Sequence, residues 1–205
     1  MIDDVLRKDG LSQRLLHELS YQSSLTISLK KNLHYFDRAE LLADLRDARR
    51  WLAAKISQLP LGVDYRVKSL QSIELKYERY YPDHQAGKVF NDLLGFRTLC
   101  NDYTPLLAAA TAEHFKIADM SQGKASDDGY RGVHVYFQLD NHHYPLEIQY
   151  NTFYDRQLNN WLHKYIYKKK HPQEIGHRLR DNYERGLIRT EQDFKEVLEY
   201  VLSHS

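Results

Sequence analysis

The side chains best suited to chemistry fall in the stretch Asp127–Thr152, where a Gly-Tyr turn precedes two short apolar runs. The second run carries Glu147 and Gln149 two residues apart, and that spacing places both side chains on one face of a strand. The first run carries His134. The order of turn, strand, polar loop and strand predicts a hairpin-like pair. These polar groups would then form a cluster that is either a site or a solvated sheet face.

A second group of polar side chains lies in the segment 65–81, YRVKSLQSIELKYERYY. The pattern predicts a short strand, Tyr65–Lys68, and a helix that starts at Ser69 or Leu70 and runs to about Tyr80. Cations and a hydroxyl near a helix start suit a polyphosphate, because free N–H groups and the helix dipole favour anions there. The alternative is an amphipathic helix with solvated lysines. The side chains concerned are Arg66, Lys68, Ser72 and Lys76.

Asp92 and Arg97 flank Gly95 in the segment VFNDLLGFRTLCN. The pattern predicts a short helical turn or a loop, then Gly95 and a buried strand, Phe96–Cys100, in which the cysteine is a small core residue. An aspartate at the mouth of a strand is a usual Mg²⁺ ligand, because hard divalent cations take carboxylate and phosphate oxygens. Such an aspartate can equally cap a turn.

The rest of the chain is predicted to be mainly helical. Asp37 can cap a long helix that ends before Pro60. The segment 25–29 has an apolar residue at every second position and fits a strand as well as a helix. The predicted helices are about Leu11–Leu19, Asp37–Leu59, Tyr103–Phe115, Tyr154–Lys170, Pro172–Arg185 and Glu191–Leu202, and a further strand is Lys116–Met120.

Length and composition limit the classes of protein to consider. A chain of 205 residues fits a single domain, 1–205, with a sizeable core. The chain has 29 Lys and Arg against 28 Asp and Glu, so it lacks the strongly positive net charge of a nucleic-acid coat protein. The single cysteine, Cys100, excludes an internal disulfide and a multi-cysteine zinc site. No apolar run approaches the roughly 18 residues of a membrane span, so a cytoplasmic location is expected.

Several local clusters of cations are present although the net charge is near zero. Each is either a solvated face or a contact to a phosphodiester backbone, which clustered cations bind. The clusters are Lys30 with Lys31, Arg49 with Arg50, and Lys168, Lys169 and Lys170.

Four short blocks together resemble the RelA/SpoT-type synthetase domain, the fold of the small alarmone synthetases, over about Tyr65–Lys168. YRVKSLQSIELK is similar to the family's Arg-x-Lys-Ser block with its downstream Ser and Lys, and NDLLGFR to the Asp-x-x-Gly-x-Arg block. DDGYRGVH is similar to the Gly-Tyr-x-Ser-x-His loop, and PLEIQYNT to the Glu-x-Gln-x-Arg-Thr strand. His163 and the pair Tyr167-Lys168 resemble the closing residues of the family. Four blocks in the same order favour the functional interpretation of each.

The resemblance implies a nucleotidyltransferase-like α+β fold with a mixed sheet flanked by helices. A synthetase core, 63–170, would lie between N-terminal helices, 1–62, and C-terminal helices, 171–205. The implied reaction transfers pyrophosphate from ATP to a ribose 3′-hydroxyl. Such a transfer needs positioning, a metal, cations that stabilise the developing charge and a base near the nucleophile.

The resemblance also implies which residues bind ATP. By position, Arg66 and Arg97 would sandwich the adenine, which suits planar guanidinium groups. Lys68, Ser72 and Lys76 would hold the ATP phosphates.

The metal and the acceptor are implied in the same way. Asp92 and Glu147 would bind Mg²⁺, and Glu147 would also activate the 3′-hydroxyl as general base. Tyr130 would stack on the acceptor base, while His134 and Gln149 would position the acceptor.

The chain departs from the family pattern on the acceptor side. Ser126 stands where the family has a lysine, with Lys124 displaced from that position. Gly132 replaces the serine of the Gly-Tyr loop, and Asn151 replaces an arginine. Free GTP or GDP carries several negative charges and should need those cations. A macromolecule whose 3′ end enters the site would instead use basic patches further out.

These departures are most similar to the toxic branch of small alarmone synthetases, some of which pyrophosphorylate the 3′ CCA end of tRNA and stop translation. The resemblance therefore implies ATP, Mg²⁺ and tRNA as partners, together with an antitoxin protein. One alternative is a GTP or GDP pyrophosphokinase that makes ppGpp or pppGpp, or its counterpart that acts on an adenosine nucleotide. The other is a catalytically inactive binding module, against which the presence of Asp92 and Glu147 argues.

Overall fold

The computed structural model describes residues 2–108, 112–169 and 171–204. The strands in this part of the chain form one five-stranded sheet. The strand order is β1-β2-β5-β4-β3, and β1 pairs with β2 in the antiparallel direction. The predicted α+β class, with a mixed sheet flanked by helices, is confirmed. The strands are β1 Asp64–Val67, β2 Leu94–Leu99, β3 Phe115–Met120, β4 Gly132–Phe137 and β5 Leu146–Asn151. The helices are α1 Ile2–Lys8, α2 Gln13–Glu18, α3 Arg38–Ile56, α4 Leu70–Tyr80, α5 Ala86–Val89, α6 Thr104–Leu107, α7 Phe153–Tyr165, α8 Gln173–Glu184 and α9 Glu191–Ser203, with 3₁₀ turns at Leu33–Tyr35 and Tyr167–Lys169.

The chain divides into two compact units, each with its own core. The prediction of a single domain over the whole chain stays a prediction. None of the helices in the described residues is long and apolar enough to cross a membrane. The first unit comprises Met1–Thr98, Thr104–Ala118 and His134–Gln149, and the second comprises Leu99–Tyr103, Asp119–Val133 and Tyr150–Ser205.

Helix α3 is the long helix of the first unit, and the sequence predicts it well. Asp37 caps it, because its side chain accepts a hydrogen bond from the backbone N–H of Glu40. Such a cap is worth about 1 kcal/mol. Apolar residues at helical spacing form its buried stripe, including Leu41, Leu45 and Leu52.

A buried carboxylate on α3, that of Asp44, holds the irregular segment that precedes this helix. One oxygen accepts hydrogen bonds from the backbone N–H and the hydroxyl of Ser24, both at 2.8 Å. The other accepts from the hydroxyls of Ser23 at 2.7 Å and Tyr144 at 2.8 Å. Burial, followed by the charge of Asp44, raises the pKa of Tyr144 well above its ordinary value, so the tyrosine stays a donor. Four donors thus satisfy one buried charge.

Replacing Asp44 with alanine is expected to lower the free energy of unfolding by about 3–5 kcal/mol, because four donors lose their acceptor and two of them, the hydroxyls of Ser23 and Tyr144, belong to buried residues. Chemical denaturation measures this. The matched control is Asp47→Ala, one turn away, where an exposed carboxylate pairs with Arg50 at 3.4 Å. Removing such a surface pair should change the stability by less than about 1 kcal/mol. Equal midpoints for the two variants would contradict the structural role of Asp44.

The second unit has a helical core. Side chains from α7, α8 and α9 form one cluster, in which Leu158, Leu162, Leu179 and Phe194 are fully buried. The helices predicted at Pro172–Arg185 and Glu191–Leu202 are confirmed as α8 and α9.

Some boundaries differ from the predictions. The helix expected at Tyr103–Phe115 is confined to α6 in the described residues, and 109–111 lie outside them. Phe115 belongs to β3, where its ring packs on Phe137 with centroids 5.0 Å apart.

Three further differences concern shorter segments. The segment 25–29 forms neither strand nor helix. Cys100 follows β2 and is half-buried rather than buried. The helix predicted to reach Lys170 ends at Tyr165, a 3₁₀ turn follows it, and Lys170 lies outside the described residues.

Candidate active site

The antiparallel pairing of β1 and β2 gathers two arginines beside a glycine. In this register Arg66 lies opposite Gly95, and Asp64 lies opposite Arg97. Opposite residues share a sheet face, and so do residues two apart, so both arginines are on the face of Gly95. Arg66 is exposed and Arg97 is half-buried. A pocket on this face is lined by Arg66, Lys68, Asp92, Gly95, Arg97, Glu147 and Gln149.

The carboxylate of Glu147 is buried on β5 and has polar partners at both oxygens. Oε1 lies 3.0 Å from Nδ1 of His134 and accepts a hydrogen bond from the Tyr136 hydroxyl at 3.1 Å. Oε2 accepts a hydrogen bond from the amide of Gln149 at 2.7 Å. The polar cluster predicted from strand spacing therefore forms, and His134 and Gln149 contact the carboxylate itself.

Asp92 lies between two lysines. The ammonium group of Lys68 pairs with Oδ2 of Asp92, and that of Lys76 lies 2.9 Å from Oδ1. Lys76 also donates to the carbonyl of Val89 at 3.1 Å. The carboxylate and the two predicted phosphate-binding cations are thus in direct contact, although they come from three separate parts of the chain.

The pKa values of these groups follow from burial and from their neighbours. Burial lowers the pKa of Lys68, although Asp92 beside it acts in the opposite direction. Burial alone would raise the pKa of Asp92, but the charges of Lys76 and Lys68 outweigh it and hold that pKa below its usual value. Asp92 is therefore ionised at neutral pH and available as a ligand.

The start of α4 is shaped for an anion. Ser69 caps the helix by accepting from the N–H of Ser72 at 3.2 Å, and the hydroxyls of the two serines lie 2.9 Å apart. Ser72 is half-buried in the first turn, one turn before Lys76. N–H groups of a first helical turn, with lysines beside them, favour phosphate oxygens.

The donor set fits Mg²⁺ that arrives with a nucleotide. In the described residues, no group of three or more His, Cys, Asp and Glu side chains is placed to hold a metal. Mg²⁺, however, is usually bound through one or two carboxylates and substrate phosphates rather than by an all-protein cage. Asp92 and Glu147 supply two carboxylates to one pocket. A Cβ at Gly95 would lie 3.2 Å from Oε2 of Glu147, so the glycine leaves the space beside this oxygen open.

Gly95→Ala is expected to reduce kcat about tenfold while the protein stays folded, because the new methyl displaces the Glu147 carboxylate by a few tenths of an ångström, and small misplacements of reacting groups are costly. Steady-state kinetics measures this. Gly62→Ala is the matched control, since a Cβ there meets nothing within 4 Å. Equal kcat values for the two variants would show that Glu147 tolerates the displacement.

Sequence reasoning missed Tyr136, which belongs to the same cluster. Its hydroxyl contacts Glu147 at 3.1 Å and lies 3.3 Å from Nδ1 of His134. The available signal was its position two residues after His134 on β4, which places both side chains on one face.

Tyr136 also lines a basic cleft of about 640 Å³ in the first unit. The wall contains three exposed lysines, which lie before α3, on α5 and on β3, and a histidine directly before β3. These residues are Lys30, Lys88, Lys116 and His114. One carboxylate, that of Asp140, also lines the cleft, so the lysines outnumber the acids on its wall, and Tyr136 belongs both to this cleft and to the Glu147 cluster.

The predicted RNA-backbone cations have different environments. Lys30, Lys31 and Arg50 are exposed in the first unit, as are Lys168 and Lys169 in the second. Arg49 is half-buried and donates from Nε to the carbonyl of Lys68 at 3.0 Å, so it also supports the end of β1.

Tyr130 belongs to the second unit, in a loop whose cations are internally paired. Lys124 lies 2.7 Å from Oδ2 of Asp128, and its ammonium is 5.0 Å from the centroid of the Tyr130 ring. Arg131 binds Asp127 through both terminal nitrogens, at 2.8 and 2.9 Å. Within 121–132, which the structure describes throughout, both cations thus already have carboxylate partners.

Comparisons with known proteins identify a family. A profile described as "Region found in RelA / SpoT proteins" matches residues 65–172, about half of the chain. Curated proteins gave no match. Among solved structures, small alarmone synthetase 1 from Bacillus subtilis is 22% identical, with 80% of this chain and 97% of that chain covered and a TM-score of 0.43. The same synthetase bound to its product pppGpp has a TM-score of 0.45 at 22% identity, with 80% and 97% covered. A GTP pyrophosphokinase family protein from Streptococcus pneumoniae is 23% identical, with 78% and 90% covered and a TM-score of 0.39.

Proposed function

Because this chain belongs to the RelA/SpoT family, we propose that it transfers the β,γ-pyrophosphate of ATP to the 3′-hydroxyl at the CCA end of tRNA. Family membership identifies the chain as a pyrophosphokinase, and the acceptor is the part that we propose. The observation that supports the chemistry best is one pocket that contains two arginines, a lysine and two carboxylates.

ATP is held by the first unit. Arg66 and Arg97, on neighbouring strands, take the adenine between their guanidinium planes. Lys68 and Lys76 exchange part of their contact with Asp92 for phosphate oxygens, and the first turn of α4 with Ser72 offers N–H and hydroxyl donors.

Glu147 acts on the acceptor as general base. It removes the proton of the 3′-hydroxyl, and the freed oxygen attacks the β-phosphorus. The bond from the β-phosphorus to the oxygen that bridges it to the α-phosphorus breaks, so that AMP leaves with that oxygen. His134, Tyr136 and Gln149 hold the carboxylate at a fixed orientation, since each contacts one of its oxygens. When bound, Mg²⁺ neutralises phosphate charge, and Asp92 and Glu147 would hold it.

The pairing of the charges in the loop that carries Tyr130, 121–132, supports tRNA over a free guanine nucleotide as the acceptor. Lys124 and Arg131 are paired with aspartates, and Ser126 is bonded to Gln173 at 2.5 Å. The 5′-phosphates of GTP would therefore have to displace carboxylates from these cations. The 3′ end of a tRNA has no terminal phosphates to bind there.

Cations elsewhere in the first unit suit an RNA backbone. The cleft that includes Tyr136 has Lys30, Lys88 and Lys116 on its wall. Lys31, which follows Lys30 in the sequence, is also exposed. Clustered lysines bind consecutive phosphodiesters in a salt-dependent way. We further propose that pyrophosphate on the CCA end stops translation, and that an antitoxin protein inhibits the enzyme or reverses its effect.

Cell-free translation tests this function. Purified protein with ATP should stop synthesis of a reporter, and the addition of intact tRNA should restore it. Glu147→Gln should leave synthesis unchanged. Inhibition that added GTP relieves and added tRNA does not would favour a GTP or GDP pyrophosphokinase. Equal inhibition by the wild type and by Glu147→Gln would favour a non-catalytic binding module.

A further inference from the structure

The loop that carries Tyr130 is held by its backbone to the C-terminal part of the second unit. Arg180 on α8, fully buried, donates from Nε to the carbonyl of Gly129 at 2.8 Å. The hydroxyl of Tyr167 donates to the carbonyl of Asp128 at 3.0 Å. The two carbonyls that directly precede Tyr130 are therefore both fixed by side chains from later in the chain.

The remaining donors of Arg180 connect the loop to α7. Nη1 bonds Asp155 at 2.8 Å, and Nη2 bonds Oδ1 of Asn159 at 3.2 Å. Asn159 in turn accepts from the N–H of Arg131 at 3.2 Å and donates to its carbonyl at 2.7 Å. The backbone is thus held immediately before and immediately after Tyr130, and Arg180 contacts both attachments.

Glycines bring α8 and the loop into backbone contact. A Cβ at Gly176 would lie 2.0 Å from the carbonyl oxygen of Asp128, and one at Gly129 would lie 2.2 Å from the carbonyl oxygen of Gly176. Gly129 also has a φ of +84°, which other residues rarely adopt. Only glycines allow this approach, so the loop is tightly confined against α8.

We infer that Arg180 and Tyr167 are positioning residues for the acceptor, which set the orientation of the Tyr130 ring for the terminal base. The inference rests on the proposed role of Tyr130 in acceptor binding. Arg180 lies on α8, outside the residues that match the family, 65–172. An aromatic side chain binds a base more tightly when its backbone is fixed in advance, because ordering the loop at each binding event costs binding free energy.

The test compares two tyrosines that make the same kind of bond. Tyr167→Phe removes the bond to the Asp128 carbonyl, and Tyr183→Phe removes a bond to the Tyr154 carbonyl, also at 3.0 Å, which does not involve the loop. Tyr167→Phe is expected to raise the KM for the acceptor about fivefold, the equivalent of one hydrogen bond. The KM for ATP should stay unchanged, and Tyr183→Phe should match the wild type.

Arg180→Lys is the second variant. It keeps a positive charge near Asp155 but cannot make three bonds in fixed directions, so the KM for the acceptor should rise more than tenfold. Hydrogen exchange of the amides of Gly129 and Tyr130 supplies a measurement that needs no acceptor. Both amides should exchange faster in Arg180→Lys and Tyr167→Phe than in Tyr183→Phe.

The outcomes separate this inference from the proposed function. If the wild type labels a guanine nucleotide instead of tRNA, the tRNA proposal fails. The inference about Arg180 and Tyr167 is then tested by the effect of Tyr167→Phe on the KM for that nucleotide. Unchanged amide exchange in Tyr167→Phe would overturn the inference whatever the activity. Faster exchange with an unchanged acceptor KM would overturn it as well, because the contact would then serve stability alone.

Discussion

Glu147→Gln is expected to reduce pyrophosphate transfer about a thousandfold, because a general base contributes about 10²–10⁴-fold and glutamine cannot accept a proton. Glutamine has nearly the same shape and can still bond Tyr136 through its oxygen. Folding should therefore be preserved, and the loss should fall on kcat. Single-turnover rates with saturating ATP and acceptor measure the change.

A matched control for this prediction is Glu74→Gln, on the exposed surface of α4. It makes the same chemical change away from the pocket and should keep full activity. A Glu147→Gln variant that retained more than about a tenth of the wild-type rate would contradict the base assignment, since the lower limit for general-base catalysis is about a hundredfold.

Asp92→Asn has the second-largest expected effect, a fall in kcat of about a few hundredfold, because the metal's stabilisation of developing charge is worth several kcal/mol and an amide is a poor ligand for Mg²⁺. The variant also removes the counter-charge of Lys68 and Lys76. Those ammonium groups then lack their carboxylate partner, so ATP should bind at least as tightly. Loss of rate without loss of ATP affinity is the expected signature.

Nucleotide-binding titrations and rates across a range of Mg²⁺ concentrations measure this signature. Asp83→Asn, at an exposed position, is the control. If Asp92→Asn instead weakened ATP binding and kept kcat, Asp92 would serve mainly to position the lysines. The account of Asp92 as a metal ligand would then be wrong.

Local sequence patterns predicted the parts of the site that depend on local geometry. The period of two along a strand places Glu147 and Gln149 together, and the structure has both in one pocket. Ser69 is a capping residue just before an apolar helical stripe, and this pattern predicted the start of α4. The structure confirms it, since Ser69 caps a helix that begins at Leu70.

Contacts between distant segments could not be predicted in this way. Nothing in the local pattern shows that β1 pairs with β2, although that pairing brings Arg66 opposite Gly95. Asp44 lies within a helical segment like any exposed acid, and its burial becomes visible only with Tyr144, 100 residues away. Arg180 is a similar case, since its partner Gly129 is 51 residues away. Such contacts depend on tertiary packing, which the spacing of residues does not encode.

The most direct test of the central claim is transfer of label from ATP labelled at its γ-phosphate. Purified protein with Mg²⁺ is offered deacylated tRNA, GTP, GDP or AMP in separate reactions. The account predicts label on tRNA, none after removal of the CCA end or with a 3′-deoxy terminus, and none with Glu147→Gln. Label on GTP or GDP alone would contradict the tRNA acceptor, and no label on any acceptor would contradict the pyrophosphate transfer itself.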